Sequence, residues 1–356
     1  MTNVSTQQGP QSTQQNEGAA ERGIREIKIG ISDGTHLCQT ALQKAGYTKE
    51  QAWIITDHLV DAELRGHPFA GLARALSIIE HLKVSGQEAH GTIEVTRSGP
   101  TYAHLDGHNS VGNLVAYEAT RIAVEKAKTV GVSVVGAHDL WYSGNLAYYA
   151  EMATREDLIV LIASNGSRIV APYGGYERKF CTNPFCIGFP TNDVDQPIIW
   201  DIGTSNIMYA QVKLAERLHA GLPEGAAFDA EGNFTTDPLK ALHGALTASG
   251  GHKGSGLAMM VQLLGIAAGS SEPTPMMSGF GYLVIAFDPQ ILQPIAHVKE
   301  NAEKFAQAIR ETKMLPGYDA ARMPYEGSCR NRRDARNRGW IQVEKKVIDD
   351  LRELCL

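Results

Sequence analysis

The residues best suited to chemistry in this 356-residue chain sit in short glycine-rich blocks and beside an apolar run. Gly250-Gly251-His252-Lys253-Gly254-Ser255-Gly256 stands immediately before LAMMVQLLGIAAG. A glycine-rich loop that ends where a helix starts presents unpaired N–H groups and the positive end of the helix dipole. Lys253 adds a full charge and His252 a switchable donor, so the block suits an anion such as a pyrophosphate or a carboxylate. Glycines that only permit a tight helix entry would leave the same pattern. A second group is Pro172-Tyr173-Gly174-Gly175. His138, followed by Asp139, ends the apolar run VGVSVVGA, and loops after strands often carry catalysis in α/β folds.

The elements that must position these groups follow from patterning. Residues 1–24 are rich in Gln, Ser, Thr and Asn and cannot offset their ordering entropy, which predicts a flexible tail. Ser32 or Asp33 is placed to cap a helix towards Ala45, and Thr48 to cap the next, AWIITDHLVDAELRG. Gly71 to Leu82 reads as a third helix. TIEVTRSG and TYAHLDG read as strands around a Gly99-Pro100 turn. Helices at 112–129 and 142–154 then alternate with the buried runs VGVSVVGA and LIVLIASN, which indicates α/β architecture. Further on come a strand at 197–202, a helix at 253–268, a strand at 282–287 and amphipathic stretches at 292–312 and 343–354. His58, His81, His90 and His297 lack a polar constellation and are expected at the surface.

Composition narrows the function. Lys and Arg number 33 against 39 Asp and Glu, a net charge of −6, which argues against nucleic-acid binding. No apolar run reaches the roughly 18 residues of a membrane span, and the amino terminus has no signal pattern. Five scattered cysteines (Cys38, Cys181, Cys186, Cys329, Cys355) form neither a disulfide framework nor a metal-ligand spacing. Cys181 and Cys186 read as small core residues. A cytoplasmic protein without a metal is expected. The Rossmann fingerprint fails as well: the nearest match, Gly254 to Met259, lacks the third glycine and follows no strand.

Seven blocks, in order, resemble the type 2 malate/L-lactate dehydrogenases. They are AELRGHPFAGLARAL (62–76), VVGAHDLWYSGNLAYYAEMA (134–153), APYGGYERKFCTNPFCIGFP (171–190), WDIGTS (200–205), NFTTDP (233–238), ASGGHKGSGLAMMVQLL (248–264) and ARMPYEGSCR (321–330). The resemblance spans everything but the tail. It implies the non-Rossmann NAD(P)-binding α/β fold of that family, with a helical amino- and carboxy-terminal domain. The implied division is 25–120 plus 295–356 for dimerisation and substrate, and 121–294 for NAD or NADP. It also implies a homodimer that moves a hydride between nicotinamide and a small 2-oxo, 2-hydroxy or cyclic 2-imino acid.

Carried over by position, His138, Asp139, Leu140, Trp141 and Tyr142 resemble a cofactor-lining segment, and Asp201, Ile202 and Gly203 another. His252 and Lys253 resemble the pair on the cofactor phosphates. Pro324, Tyr325, Glu326 and Arg330 resemble a carboxy-terminal cofactor loop. Arg74 and Thr182 match positions that hold the substrate carboxylate and its neighbouring oxygen, and a guanidinium suits a carboxylate in two-point geometry. Arg330, Arg332, Arg333, Arg336 and Arg338 crowd beside that loop, either for the 2′-phosphate of NADP or as a solvated or subunit-facing patch.

The pattern breaks at one place. Where the family reads Asp-Ser-His-Gly, this chain reads Pro68-Phe69-Ala70-Gly71, and the Ser-His proton relay is missing. The assisting acid of some relatives falls at Gln211 or Val212, neither acidic. A placed acid or base is worth typically 10²- to 10⁴-fold in rate, about 3 to 5 kcal/mol. His138 and His67 are the candidate replacements. A cyclic iminium, which arrives already protonated, would suffer least from the loss. The alternative is a cofactor-binding descendant that has given up hydride transfer.

Overall fold

The computed structural model describes residues 25–86, 91–271, 273 and 277–356. The predicted tail and His90 lie outside them. Strand β1 (Glu26–Gly30) pairs antiparallel with β12 (Trp340–Glu344), so the first and last described segments close on each other. Helix α1 (Ile31–Lys44) follows at once, with Gly30 as its cap and no side-chain capping bond. Ser32 and Asp33 are therefore inside the helix rather than capping it, because the preceding strand delivers the chain straight into it. Thr48 does cap α2 (Lys49–Leu64), and Gln51 completes a reciprocal capping box. Such a cap is worth about 1 kcal/mol. A 3₁₀ turn (Pro68–Ala70) and α3 (Ala73–Ser85) complete this helical layer.

The central sheet has seven strands. In spatial order they are β2 (Glu94–Gly99), β3 (Tyr102–Val111), β4 (Val132–Trp141), β11 (Phe280–Phe287), β5 (Ile159–Ser164), β7 (Phe185–Phe189) and β8 (Ile198–Ile202). Within it only β3 and β4 pair in parallel, joined by α4 (Gly112–Val130) as a β-α-β crossover. The other pairs are antiparallel, because β11 returns from far along the chain to lie between β4 and β5. A smaller sheet orders β6 (Val170–Ala171), β10 (Ala245–Thr247) and β9 (Ala227–Phe228), with its own apolar cluster around Val170, Phe180 and Leu246.

The main core lies where α4 and α5 (Leu146–Thr154) pack on the sheet. Its largest wholly buried side chains are Tyr149 and Tyr282. Their hydroxyls do not go unpaired: Tyr149 donates to the Ser143 carbonyl at 2.7 Å, and Tyr282 shares a proton with Thr120 at 2.8 Å. Pairing of this kind offsets the cost of burying a phenol. Beyond β8 come α6 (Tyr209–Arg217), α7 (Pro238–His243), α8 (Gly251–Ala267), α9 (Ile295–Arg310), α10 (Glu326–Arg338) and α11 (Lys345–Leu354). No described helix is long and apolar enough to cross a membrane.

Two boundaries shift in ways that matter for chemistry. Strand β4 runs on to Trp141, so His138 lies within the strand rather than at its end. Helix α5 starts at Leu146, not Tyr142. Tyr142 has φ +51° and Gly144 φ +73°, and a chain in the left-handed region cannot continue as a right-handed helix. Four residues thus turn the chain between strand and helix, and that turn is the floor of the candidate site.

Candidate active site

Strands β3 and β4 run parallel, so their carboxyl ends open on one edge, the usual place for ligands in such sheets. Helix α3 lies across that edge. Arg74 and His81 are seven residues apart, two helical turns, and so share a face. The Arg74 guanidinium sits over the Tyr142 ring, 4.9 Å from its centroid, and the His81 ring stacks on Trp141 at 3.8 Å. Arg74 is fixed from behind, because its Nε donates to the Phe69 carbonyl at 3.0 Å. The 3₁₀ turn therefore orients the arginine.

Buried polar atoms gather here. Among the described residues, Asn109 Oδ1, Ser110 Oγ, both amide atoms of Asn113, Trp141 Nε1, the Tyr142 hydroxyl and His81 Nε2 have no hydrogen-bond partner. A buried polar atom without a partner costs about 1–3 kcal/mol, so a concentration of them at one strand edge favours a ligand that would pair them. Burial pushes the His81 imidazole below its ordinary value and the Tyr142 phenol above it, the Arg74 charge pulling the phenol the other way. His81 as a neutral imidazole can donate a hydrogen bond, and Tyr142 as a phenol still carries its proton.

His58 was expected at the surface and is instead wholly enclosed, as is one face of His81. His58 stacks against Tyr148 at 4.6 Å, and its Nε2 accepts the Asn145 N–H at 3.0 Å. Burial holds its basicity down to about 4, so it stays neutral and acts as an acceptor. A β-carbon at Gly144 would lie 2.5 Å from that Nε2, which leaves room for glycine alone. His58 thereby pins the turn that carries Tyr142.

The remaining expected site residues are distributed around this edge. His138 Nδ1 bonds the Leu105 carbonyl at 2.9 Å, its Nε2 is 3.7 Å from Asp106, and its ring stacks on His104 at 4.9 Å. Leu140 is wholly buried in the core, and Asp139, at φ +52°, marks an irregularity in the strand. His67 Nε2 bonds Ser328 at 3.3 Å rather than capping the 3₁₀ turn. Among the described residues, no hydrogen bond, ion pair or ring contact joins His67 or His138 to Arg74 or Tyr142. Asp201 accepts the Ala147 N–H at 2.8 Å and so caps α5; burial raises its carboxyl to about 6. Ile202 ends β8, and Gly203 follows it against the Met208 sulfur. The Thr182 carbonyl accepts from Thr204, and the side chain is buried.

Helix α8 begins two residues before Lys253. Gly250 and Gly251 have φ +69° and +62°, which only glycine adopts freely, and His252 and Lys253 are exposed in the first turn. The donor set of this turn fits a dinucleotide diphosphate, and the unpaired polar atoms beside Trp141 fit a polar ring or carboxylate.

Tyr325 and Glu326 open α10. The Tyr325 ring lies under Arg65 at 4.5 Å and Glu326 pairs with Arg310, while Pro324 and Arg330 are exposed. Arg332 departs from both expectations for the arginine cluster. It is only 4% exposed and binds Glu151 at 2.7 Å and Asp61 at 3.3 Å, alongside Arg65. That network ties α10 to α2 and α5. Burial pushes up the thiols of Cys181 and Cys186; Cys186 is a core residue as expected, whereas Cys181 is partly exposed.

The malate/L-lactate dehydrogenase family model matches residues 29–352. The chain belongs to the malate/L-lactate dehydrogenase family. It is 32% identical over 327 residues to the malate/(S)-sulfolactate dehydrogenase of Methanothermus fervidus, covering 88% of this chain and 93% of the relative. It is 28% identical to the Δ1-pyrroline-2-carboxylate/Δ1-piperideine-2-carboxylate reductase of Pseudomonas putida, covering 92% and 97%. The solved sulfolactate dehydrogenase of Methanocaldococcus jannaschii superposes with a TM-score of 0.83 at 29% identity, covering 92% of this chain and 96% of that one. The fold is thus the non-Rossmann fold of this family, and the protein is one of its dehydrogenases or reductases, enzymes that use nicotinamide cofactors.

The family resemblance had singled out Arg74 and Tyr142, but not His81, Ser110, Asn109 or Asn113. The Arg74–His81 spacing was the signal available for His81. The others are ordinary polar residues at a strand end and carry no signal in the sequence.

Proposed function

We propose that this protein reduces small 2-oxo acids or cyclic 2-imino acids with NADH or NADPH, the substrate carboxylate pairing with Arg74. One observation carries this reading: a guanidinium anchored by the Phe69 carbonyl over Tyr142, at a strand edge where buried polar atoms lack partners. The relatives named above act on malate and sulfolactate, or on pyrroline and piperideine carboxylates. Both classes carry a carboxylate next to the reacting carbon, which is the group a guanidinium recognises in two-point geometry.

In this reading the first turn of α8, with His252 and Lys253, holds the diphosphate. Trp141, Tyr142 and the segments at Asp201 and Tyr325 line the rest of the dinucleotide. When bound, reduced nicotinamide supplies the hydride. Arg74 orients the acid, Thr182 stands by its neighbouring oxygen, and the half-buried Phe69 and buried Ala70 make that wall apolar. The same reading includes a homodimer: Met259, Met260, Leu263 and Ile266 form an exposed apolar row on α8 that a second copy would cover. Light scattering at a single-chain mass would count against the dimer.

The test is a fluorescence titration with NADH and NADPH, then nicotinamide absorbance with a panel of 2-oxo and cyclic imino acids. Arg74→Met removes a charged carboxylate contact worth about 2–5 kcal/mol, so kcat/KM falls at least about 30-fold while NAD(P)H affinity holds. No coenzyme binding, or an Arg74→Met variant with native kcat/KM, overturns the reading.

A further inference from the structure

A 2-oxo acid needs a proton on its oxygen as the carbon is reduced, and Phe69 and Ala70, on the turn that holds Arg74, carry no group to supply it. We propose that Tyr142 is the catalytic residue that hands that proton to the substrate oxygen. This rests on the function proposed above, with Arg74 holding the carboxylate.

Three observations converge on this phenol. Its hydroxyl is buried and donates to no acceptor among the described residues; the neighbouring Arg74 guanidinium can only donate towards it, so the phenol proton is not committed. Its backbone is held at φ +51°, a conformation that costs a residue with a β-carbon about 1–2 kcal/mol and persists at sites where the surroundings impose it. Its ring lies under the guanidinium that would hold the substrate, within one small molecule's reach. Three imidazoles nearby are engaged otherwise, His67 with Ser328, His138 with the Leu105 carbonyl and His58 with the Asn145 N–H, while His81, stacked on Trp141 with its basicity lowered by burial, carries no acidic proton to give.

The step balances. The carbonyl carbon gains a hydride from the reduced nicotinamide and the carbon–oxygen π pair moves onto oxygen. That oxygen takes the Tyr142 proton as the phenol O–H bond breaks. The phenolate then faces the Arg74 charge until water returns a proton. The guanidinium lies over the ring and acts on the hydroxyl by charge and by donation, both of which stabilise the phenolate. Burial keeps the phenol protonated at neutral pH, as a proton donor requires.

The experiment is Tyr142→Phe. Removing the hydroxyl breaks no hydrogen bond of good geometry, so the thermal midpoint should stay close to that of the wild type. The expected result is a fall of about 100-fold or more in kcat on a 2-oxo acid, with affinity for NAD(P)H and for oxamate, a non-reducible 2-oxo acid analogue, weakened by no more than about tenfold, the worth of one hydrogen bond. The solvent deuterium effect on kcat of the wild type should also change in the variant. A variant kcat within about threefold of wild type overturns the proposal, and so does loss of oxamate binding in step with the rate, which assigns Tyr142 a structural role. A wild-type enzyme that binds NAD(P)H and reduces cyclic imines but no 2-oxo acid overturns the role of Tyr142 and leaves the proposed function standing. A wild-type protein that binds neither coenzyme overturns both.

Discussion

Glu63 lies under the turn that holds Arg74 in place. Its carboxyl is buried, accepts the Leu72 N–H at 2.8 Å, and leaves no room for a β-carbon at Gly71. Burial raises it from the ordinary value near 4.5 to about 8, so the folded protein keeps a proton that the unfolded chain releases. Raising pH between those two values therefore favours the unfolded chain, by about 1.4 kcal/mol per unit. From about pH 5 to about pH 7.5, inside that window, Glu63 should cost the wild type about 3 kcal/mol of stability. Glu63→Gln keeps an acceptor for Leu72 and has no charge to lose. Urea unfolding of both proteins at the two pH values, with equal m-values, measures the difference directly. The gap should open in favour of the variant as pH rises. Stability curves that stay parallel across the window would falsify the assignment of a buried, proton-bearing Glu63.

Two further outcomes follow from the charged clusters. Glu151→Ala leaves Arg65 and Arg332 with Asp61 as their one remaining carboxylate, and losing a partner from a buried ionic network costs up to about 3–5 kcal/mol. Thermal unfolding should show the loss at moderate and high salt alike, since a buried network is poorly screened; a small, salt-sensitive change would mean that the network is solvated. Lys253→Met should weaken NADH and NADPH binding about tenfold, roughly 1.4 kcal/mol, and flatten its salt dependence. Unchanged titrations would remove the start of α8 from the coenzyme site.

The sequence made the long elements legible because their signals are local. The Thr48 cap, the Gly99-Pro100 turn and the apolar strands are each set by residues within a few positions. What stayed hidden depends on distant partners. β1 is a strand only because β12 pairs with it from the other end of the chain, and α5 starts at Leu146 because Asp201 reaches across to cap it. Periodicity could not show that β11 inserts between β4 and β5 and makes the sheet mostly antiparallel. The same limit misplaced His58. A histidine inside AWIITDHLV reads as polar and outward, yet a glycine at 144 makes space for it to turn inward.

The apolar side chains of Phe69 and Ala70 and the geometry of Arg74 belong to one arrangement. A serine and a histidine in place of Phe69 and Ala70 would put polar side chains on a turn whose last residue is now an alanine only 3% exposed. With that side chain folded into the core, the turn presents its backbone instead, and the Phe69 carbonyl anchors Arg74. The guanidinium is thereby drawn over Tyr142, at the end of a strand rather than on the turn. An unpaired phenol next to a cation, in a pocket rimmed by unpaired amides and a stacked indole, costs stability unless a ligand repays it. On this account the site's polarity has moved from the 3₁₀ turn to the carboxyl end of β4. The double substitution Phe69→Ser with Ala70→His should then add no activity on a 2-oxo acid while the backbone carbonyl at position 69 still holds Arg74. A double variant with a clear gain in kcat/KM over the wild type would show that the turn never gave up its place in the site.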